Sequence, residues 1–255
     1  MKLHDLVLQH GRNVARELVP FEQRHLVDLA ATVLGDDKLT LGYLYSGFAM
    51  TGLPHRRLPA DDQVWHRDNG RFSLLVEPGL VLDAKGEVVR HGVPYGSRAR
   101  LILLYLQSEA IRTNSRTVSL GASMHAWMEK LGVRPGGSNY QAIREQARRL
   151  SACTMTVGWR GDRGTSGFNR ASIVSAMMFV SRATDGRQIP MWDETAEISH
   201  EFFDALRHHP VPVNEAAIRA IQNSSAVIDV YIWLCYRLRD LKRSTDVPWP
   251  ALHAQ

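Results

Sequence analysis

The sequence predicts an α+β protein built around a winged helix-turn-helix, with a second, incomplete winged-helix unit at the C-terminus. Between residues 92 and 187 the hydrophobic pattern follows the order helix, short strand, helix, turn, helix, strand, glycine loop and strand, which is the order of a winged helix. After residue 188 a similar helical pattern begins again. We therefore expect three parts, namely 1–91, 92–187 and 188–255.

Residues 1–91 are predicted to form a helical and extended region that packs on the first winged helix. Apolar residues recur at helical spacing over 3–17 and again over 21–34. Short β-rich runs follow at 71–76 and 80–83. The inward face of the second helix is expected to comprise Leu26, Leu29, Ala30 and Val33.

The first winged-helix unit is predicted to begin with a helix that Ser97 caps and that Asn114 ends in a left-handed conformation. A short strand at 116–120 and a second helix that ends at Gly132 would follow. The inward residues of these two elements are expected to be Val118, Leu120, Met124, Trp127, Met128 and Leu131.

The third helix of this unit, Ser138 to Leu150, is the predicted recognition helix. Tyr140, Ile143, Ala147 and Leu150 fall within an arc of about 80° and would face inward. Ser138 stands at capping-box spacing from Gln141, directly after the flexible turn Gly136–Gly137. A polar, basic helix entered from a tight turn is what a helix-turn-helix places in the major groove, although a solvated surface helix has the same pattern. The outward residues are Gln141, Arg144, Glu145 and Arg148, with Arg149 on their flank.

The wing is predicted from two β-rich runs, 153–160 and 168–181, joined by the glycine loop 161–167. This loop lacks Gly-Lys-Ser/Thr, so the sequence favours a wing turn over the phosphate loop of an NTPase. The basic residues at or beside the wing are Arg160, Arg163 and Arg170.

Positive charge is concentrated in the same part of the chain. The whole sequence has a net charge of +5. Its segment 97–187 has 14 Lys and Arg against 5 Asp and Glu, a net charge of +9, so the remainder is slightly acidic. A basic segment in such a chain is typical of a nucleic-acid-binding module, although a solvated charged surface gives the same signal.

The C-terminal part is predicted to contain a strand that runs into a short helix at 197–206, a helix capped by Asn214, and an apolar helix that starts at Ser224 or Ser225. Its apolar helix aligns with the first helix of 92–187. The alignment pairs Ala99 with Ala226, Leu101 with Ile228, Val118 with Val247, Leu120 with Trp249 and Ala122 with Ala251. This weak repeat predicts a second winged helix that Gln255 interrupts before its recognition helix and wing.

Several classes of protein are disfavoured. No apolar run approaches eighteen residues and no signal peptide is recognisable, so we expect a cytoplasmic protein without a membrane partner. Cys153 and Cys235 have no CxxC spacing and are expected to be reduced thiols. The histidines lack metal-ligand spacing and no catalytic set can be assembled, which predicts a non-enzyme with no cofactor and no metal.

Several long strings resemble one known family. They are LAATVLGDDKLTLGYLYSGFAMTGLPHRRLP, LLVEPG, GVPYGSRARLILLYLQSEAIRT and YQAIREQARRLSAC, with VPWPALHAQ at the end. These strings resemble the plasmid-encoded replication initiators of the RepA type. The resemblance implies a protein that binds repeats of double-stranded DNA at a plasmid origin, opens the nearby duplex and helps host replication initiation and helicase-loading proteins to load.

Some initiators are built from two winged helices. By analogy with them, the resemblance also implies that plasmid copy number is controlled either by formation of a homodimer or by occupancy of the origin. Family members usually continue past the position of Gln255, so we expect this chain to bind an origin more weakly than a version with a complete second unit. Two alternatives remain open. One is a winged-helix dimerisation or interaction module, and the other is a transcriptional autoregulator.

The candidate DNA contacts fall into two groups. Gln141, Arg144 and Arg148 would read base edges, because Arg pairs with guanine and Gln with adenine. The remaining candidates would contact backbone phosphates or lie on the flanks of the helix. The full set comprises Ser138, Asn139, Gln141, Arg144, Glu145, Arg148, Arg149, Arg160, Arg163 and Arg170.

Overall fold

The computed structural model has a mixed helical and β architecture, as the sequence predicts. It describes residues 2–36, 40–82, 85–160, 166–171, 173–177 and 194–249. The helices are α1 (Leu3–Glu17), α2 (Arg24–Leu34), α3 (Ser46–Met50), α4 (Gly96–Thr113), α5 (Met124–Lys130), α6 (Gly137–Ala152), α7 (His200–His208), α8 (Glu215–Ile221) and α9 (Ser225–Leu238). The strands are β1 (Leu41–Tyr45), β2 (Trp65–Asp68), β3 (Phe72–Glu77), β4 (Gly79–Leu82), β5 (Val88–His91), β6 (Thr117–Gly121), β7 (Thr154–Arg160), β8 (Ser166–Ala171), β9 (Val174–Met177), β10 (Glu194–Ile198) and β11 (Pro210–Asn214).

The two N-terminal helices form a small core of their own. Helix α1 packs on α2, and α2 also contacts α8. The expected inward face of α2 is wrong by about one position, because Val27 is fully buried while Leu26 is 39% exposed. The apolar surface of α1 determines which side of α2 is covered. The buried residues of this core are Leu6, Val7, Ala15, Val19 and Val27.

A second, larger core is centred on α4. Ile102 and Leu106 of α4 are fully buried, and this core extends from Leu44 in β1 to Ile232 in α9. It therefore includes residues from all three predicted parts of the chain.

The strands of the described residues form four sheets. One has the order β6-β10-β9, and another has the order β2-β3-β7-β8. Strand β1 pairs with β11, and β4 pairs with β5. All of these pairings are antiparallel.

The two strands beside the predicted wing loop form a hairpin, but this hairpin lies in a sheet that does not contain β6, and the run predicted over 168–181 contains two strands, β8 and β9. Strands β7 and β8 pair with each other, and β7 pairs on its other side with β3. The strand that pairs with β6 is instead β10, which also pairs with β9. The sequence pattern identified the hairpin, but it gave no information about which distant strand completes the sheet. The loop residues 161–165 lie outside the described residues.

Helices α4 and α6 begin at glycines, and not at the predicted caps Ser97 and Ser138. Helix α4 begins at Gly96, whose φ of 72° favours glycine, and Ser97 provides no side-chain cap. Helix α6 begins after Gly136, so Ser138 is inside the helix and does not cap it. The predicted left-handed end of α4 is confirmed, since Asn114 has a φ of 49°. All six apolar residues expected to face inward in β6 and after it are buried.

The C-terminal helices agree with the sequence prediction up to residue 238. Asn214 caps α8 by accepting the N–H of Ala217, and Ser224 caps α9 by accepting the N–H of Val227. The strand that the internal repeat places at Val247 and Trp249 is absent from the described residues 239–249. Ala251 lies outside the described residues. No described helix is long and apolar enough to cross a bilayer.

The two cysteines are free thiols. Burial raises the pKa of Cys153 to about 12, so this thiol stays protonated at neutral pH.

One buried arginine joins three parts of the large core. Arg100 in α4 donates to both carboxylate oxygens of Asp229 in α9, at 2.5 and 2.6 Å. It also donates to the carbonyl oxygens of Leu53, Pro54 and Gly96. The guanidinium is thus fully satisfied although it is almost inaccessible to solvent.

Replacing Asp229 with alanine is expected to lower the free energy of unfolding by about 3 kcal/mol, because Arg100 would remain buried without its carboxylate partner. Urea denaturation followed by circular dichroism measures this change. Asp240→Ala is the matched control, since Asp240 and its partner Arg239 are both largely exposed, and its effect should stay below about 0.5 kcal/mol. Equal effects of the two variants would contradict the structural role of the Arg100–Asp229 pair.

Candidate nucleic-acid interface

Helix α6 is fixed in the molecule by Arg149. Its side chain is 4% exposed. The guanidinium donates to Glu145 Oε1 at 2.7 Å, to Asp61 Oδ1 at 3.0 Å and to the carbonyl oxygen of Val93 at 3.1 Å. It also lies 5.3 Å from the centre of the Tyr95 ring. Arg149 therefore joins α6 to the segment that leads into α4, and the expectation that its side chain lies on the outer flank of the helix is wrong.

Two further contacts fix the position of α6. Gln146, which is also buried, accepts the backbone N–H of Tyr95 at 2.8 Å. At the C-terminal end of α6 the backbone of Gly79 lies so close that an added Cβ atom would be 1.8 Å from the carbonyl oxygen of Ala152. Because only glycine fits there, the β4–β5 hairpin packs tightly against the end of α6.

The pKa of Asp61 reflects this arrangement. Burial alone would raise the pKa of the carboxyl group, but hydrogen bonds from Arg57 and Arg149 outweigh it and hold the pKa below 3.8. The carboxylate is therefore charged at neutral pH.

The opposite side of α6 is exposed and basic. Ile143, Ala147 and Leu150 are fully buried, as predicted. Gln141, Arg144 and Arg148 are all exposed. Within the described part of the chain neither Arg144 nor Arg148 forms a hydrogen bond or ion pair, so both guanidinium groups are available to a ligand. Glu145 is half-buried and bonded to Arg149, so it is not a free group on this face.

At the beginning of α6 the side chain of Ser138 is exposed, whereas that of Asn139 is hydrogen-bonded within the protein. The side-chain amide of Asn139 donates to the carbonyl oxygen of Arg134 at 3.0 Å and accepts from Arg98 at 3.2 Å. Since this amide holds the preceding turn in place, the group that Asn139 can offer to a phosphate is its backbone N–H.

The predicted wing contains three arginines, and the side chain of only one of them, Arg160, is described. Arg160, at the end of β7, donates to Asp68 Oδ1 at 3.1 Å, to Asp68 Oδ2 at 2.9 Å and to the carbonyl oxygen of Gly70 at 2.8 Å. Its charge is thus matched within the protein. Arg163 lies outside the described residues, and for Arg170 the backbone of β8 is described but not the side chain.

Two neighbours of α6 were missed by the sequence reasoning. Arg134 is exposed in the turn before α6, and the β4–β5 hairpin places His91 near Arg148. Burial, followed by the nearby charge of Arg148, lowers the pKa of His91 below 6.5, so its imidazole is mainly neutral at pH 7. Arg134 could have been found from its place in the turn. His91 is 57 positions away in sequence from Arg148, and nothing in the sequence indicates their proximity.

A family model described as the plasmid-encoded RepA protein matches residues 93–248, which is more than half of the chain. The chain belongs to the plasmid-encoded RepA family. The match confirms the resemblance found in the sequence, and it includes α6 and its hydrogen-bond partners Val93 and Tyr95. A comparison with curated proteins gave no significant match.

A search of solved structures gave matches to this RepA-family chain. A crystal structure of selenomethionine derivatives of domains 2 and 3 of RctB has a TM-score of 0.50 at 14% identity, covering 80% of this chain and 73% of that chain. A second crystal structure of RctB domains 2–3 has a TM-score of 0.45 at 14% identity, covering 78% and 72%. At this level of identity the similarity concerns the fold alone.

Replacing Arg149 with methionine is expected to lower the free energy of unfolding of this RepA-family chain by about 3 kcal/mol. The variant removes the donor to the carbonyl oxygen of Val93 and to Glu145, and it leaves Asp61 with Arg57 as its remaining donor. Arg148→Met, at the next position but on the exposed side, should change it by less than about 0.5 kcal/mol. Chemical denaturation of both variants at the same pH and salt tests this difference, and equal losses would refute the assignment of Arg149 as the anchor.

Asp61 should also make the free energy of unfolding depend on pH in the acid range. Its pKa is lowered in the folded state, so its stabilising contribution is present above about pH 4 and is lost as the pH falls through the lowered pKa. We expect Asp61→Asn to lose less stability than the wild type between about pH 5 and pH 3, as measured by urea denaturation at several pH values. Asp28 and Asp68, whose pKa values Arg12 and Arg160 lower, should provide the remaining dependence.

Asp62→Asn is the control for this experiment, because Asp62 is an exposed neighbour of Asp61. It should keep the acid dependence of the wild type. An Asp61→Asn variant with the same dependence as the wild type would count against the link between Asp61 and Arg149.

Proposed function

We propose that this RepA-family chain acts as a plasmid replication initiator and binds origin DNA sequence-specifically through α6. The observation that carries the proposal is the pair Arg144 and Arg148. Both arginines are exposed and have no partner among the described residues, and the other side of their helix is held by Arg149 and Gln146. An unpaired guanidinium on a helix that is fixed in the molecule is well suited to bidentate recognition of guanine.

The spacing along α6 fits the spacing of base pairs. At a rise of about 1.5 Å per residue, Arg144 and Arg148 are about 6 Å apart along the helix axis, and Gln141 and Arg148 are about 10 Å apart. Successive bases along one strand are about 3.4 Å apart. The exposed face of α6 therefore spans about three base pairs, with Gln141 as a reader of adenine. Backbone N–H groups at Ser138 and Asn139 would contact a phosphate.

We further propose that the unit around α6 is a winged helix with an inserted hairpin. The order α4, β6, α5, α6, β9, β10 and the sheet order β6-β10-β9 support this proposal. In this arrangement β7 and β8 are the insertion between α6 and β9. The proposed roles of Arg160, Arg163 and Arg170 as wing contacts then lose their topological support. Origin opening and the loading of host helicase-loading proteins remain part of the proposal through the family.

A second candidate function is association with another copy of this chain. Helix α9 carries a row of exposed apolar residues at spacings of three and four, which is typical of a helix that packs against a further partner. Light scattering of the wild type and of a Leu234→Glu variant distinguishes a dimer from a monomer. The row comprises Val227, Val230, Leu234 and Leu238.

Arg144→Ala and Arg148→Ala are each expected to weaken binding to an origin repeat about tenfold and to relax base preference at one position, because one bidentate pair is worth about 1–3 kcal/mol. Mobility shifts at fixed salt, with the repeat and with scrambled duplex, measure both effects. Arg219→Ala is the control, since Arg219 is an exposed arginine on α8. Unchanged affinity in both α6 variants would favour the dimerisation module over the initiator.

A further inference from the structure

A cleft of about 610 Å³ lies away from α6, between the β2-β3-β7-β8 sheet and helix α7. One wall is formed by the ends of β3 and β7, where Phe72 and Trp159 are paired across the two strands. The other wall is formed by Glu201 and Asp204 of α7, with Tyr236 of α9 at its edge. No residue of α6 lines this cleft.

The aromatic wall is unusual because Trp159 remains 42% exposed. The alternating residues Leu74, Val76, Met155 and Val157 of the same two strands are buried in the core. Phe72 and Trp159 continue this apolar row beyond the point where the core ends. They therefore present rings to a space that no side chain of the described chain fills.

The position of Trp159 is fixed by its neighbour on β8. Gly167 pairs with Trp159 across the strands. A Cβ atom added to Gly167 would be 2.4 Å from the indole ring. The indole therefore lies directly against the backbone of β8, and a ring supported in this way is a rigid surface for stacking.

Charged and polar groups in the cleft are available to a ligand. Arg71 is exposed, and its guanidinium lies 6.0 Å from the centre of the Phe72 ring with no carboxylate partner in the described structure. Neither the hydroxyl group of Tyr236 nor the carboxylate of Glu201 has a hydrogen-bond partner within the described residues. A smaller pocket of about 140 Å³ shares His208, His209 and Tyr236 with the cleft and adds Arg239.

We propose that this cleft binds single-stranded DNA, with one unstacked base against Trp159. Aromatic rings accept any base by stacking, and arginines at the edges hold the backbone phosphates on either side. Arg71 would hold one phosphate, and Arg239 in the adjoining pocket would hold the next. The carboxylate of Glu201 can accept a hydrogen bond from an exocyclic amino group, which cytosine has and thymine lacks. This site does not depend on duplex recognition by α6.

The test uses the full chain and fluorescence anisotropy with labelled ten-nucleotide oligo-dC and oligo-dT. The Trp159→Ala variant should weaken binding to both oligonucleotides about tenfold, whereas Trp159→Phe, which keeps an aromatic ring, should stay within about threefold of the wild type. Arg71→Ala should weaken binding and reduce the salt dependence by about one phosphate contact. Trp249→Ala removes another exposed tryptophan that does not line the cleft, and it should have no effect.

Base preference and ligand size give two further readouts. Glu201→Gln should reduce the preference for oligo-dC over oligo-dT while leaving the affinity for oligo-dT unchanged. The mononucleotide dCMP should bind much more weakly than oligo-dC, since it lacks the neighbouring phosphates. If dCMP binds as tightly as oligo-dC, the site is one for free nucleotides and the proposal is wrong.

Comparison with duplex binding separates this proposal from the function assigned to α6. Trp159→Ala should retain duplex binding, and Arg144→Ala should retain binding to oligo-dC. Wild-type affinity for oligo-dC in both Trp159→Ala and Arg71→Ala would overturn the proposed site whatever α6 does. If the α6 variants lose duplex binding but keep wild-type affinity for oligo-dC, the proposed single-strand site is supported.

Discussion

The hydrogen bonds of Arg149 are the interaction on which the proposed DNA-binding surface depends. A single buried guanidinium joins the middle of α6 to the segment before α4 and to Asp61. Without this connection α6 would keep the hydrogen bond from Tyr95 to Gln146 and the packing of its aliphatic side chains, which fix its rotation less firmly. With it, Arg144 and Arg148 point away from the core on a helix that cannot easily turn. Two adjacent arginines, Arg148 and Arg149, thus have opposite roles because they differ by 100° around the helix.

Local patterns in the sequence predicted local structure well. The helical periodicity of residues 137–152, the alternation in β6 and the caps at Asn214 and Ser224 all depend on neighbours within a few positions, and the structure contains them. The apolar side of α6 was also predicted correctly. The basic outer face followed from the same periodicity, which is why Arg144 and Arg148 could be identified from the sequence.

Contacts between distant residues could not be predicted in this way. Arg149 was assigned to the outer flank because its partners Asp61 and Val93 are 88 and 56 positions away in sequence. The β7–β8 hairpin was assigned to the wing because the pattern of two strands and a glycine loop says nothing about β3, which lies about 80 positions earlier. The aromatic cleft was missed for the same reason, since its walls come from three separate parts of the chain. A charged residue at the edge of a helical face is the kind of position where a sequence pattern is least informative.

The pairing of β1 with β11 has a consequence for how such proteins can evolve. These strands join residues 41–45 to residues 210–214, and every position of β1 has a partner in β11. A genetic exchange that replaced only the first third or only the last third of the gene would combine two strands that had not been selected together. The two halves of this small sheet should therefore be inherited as a unit.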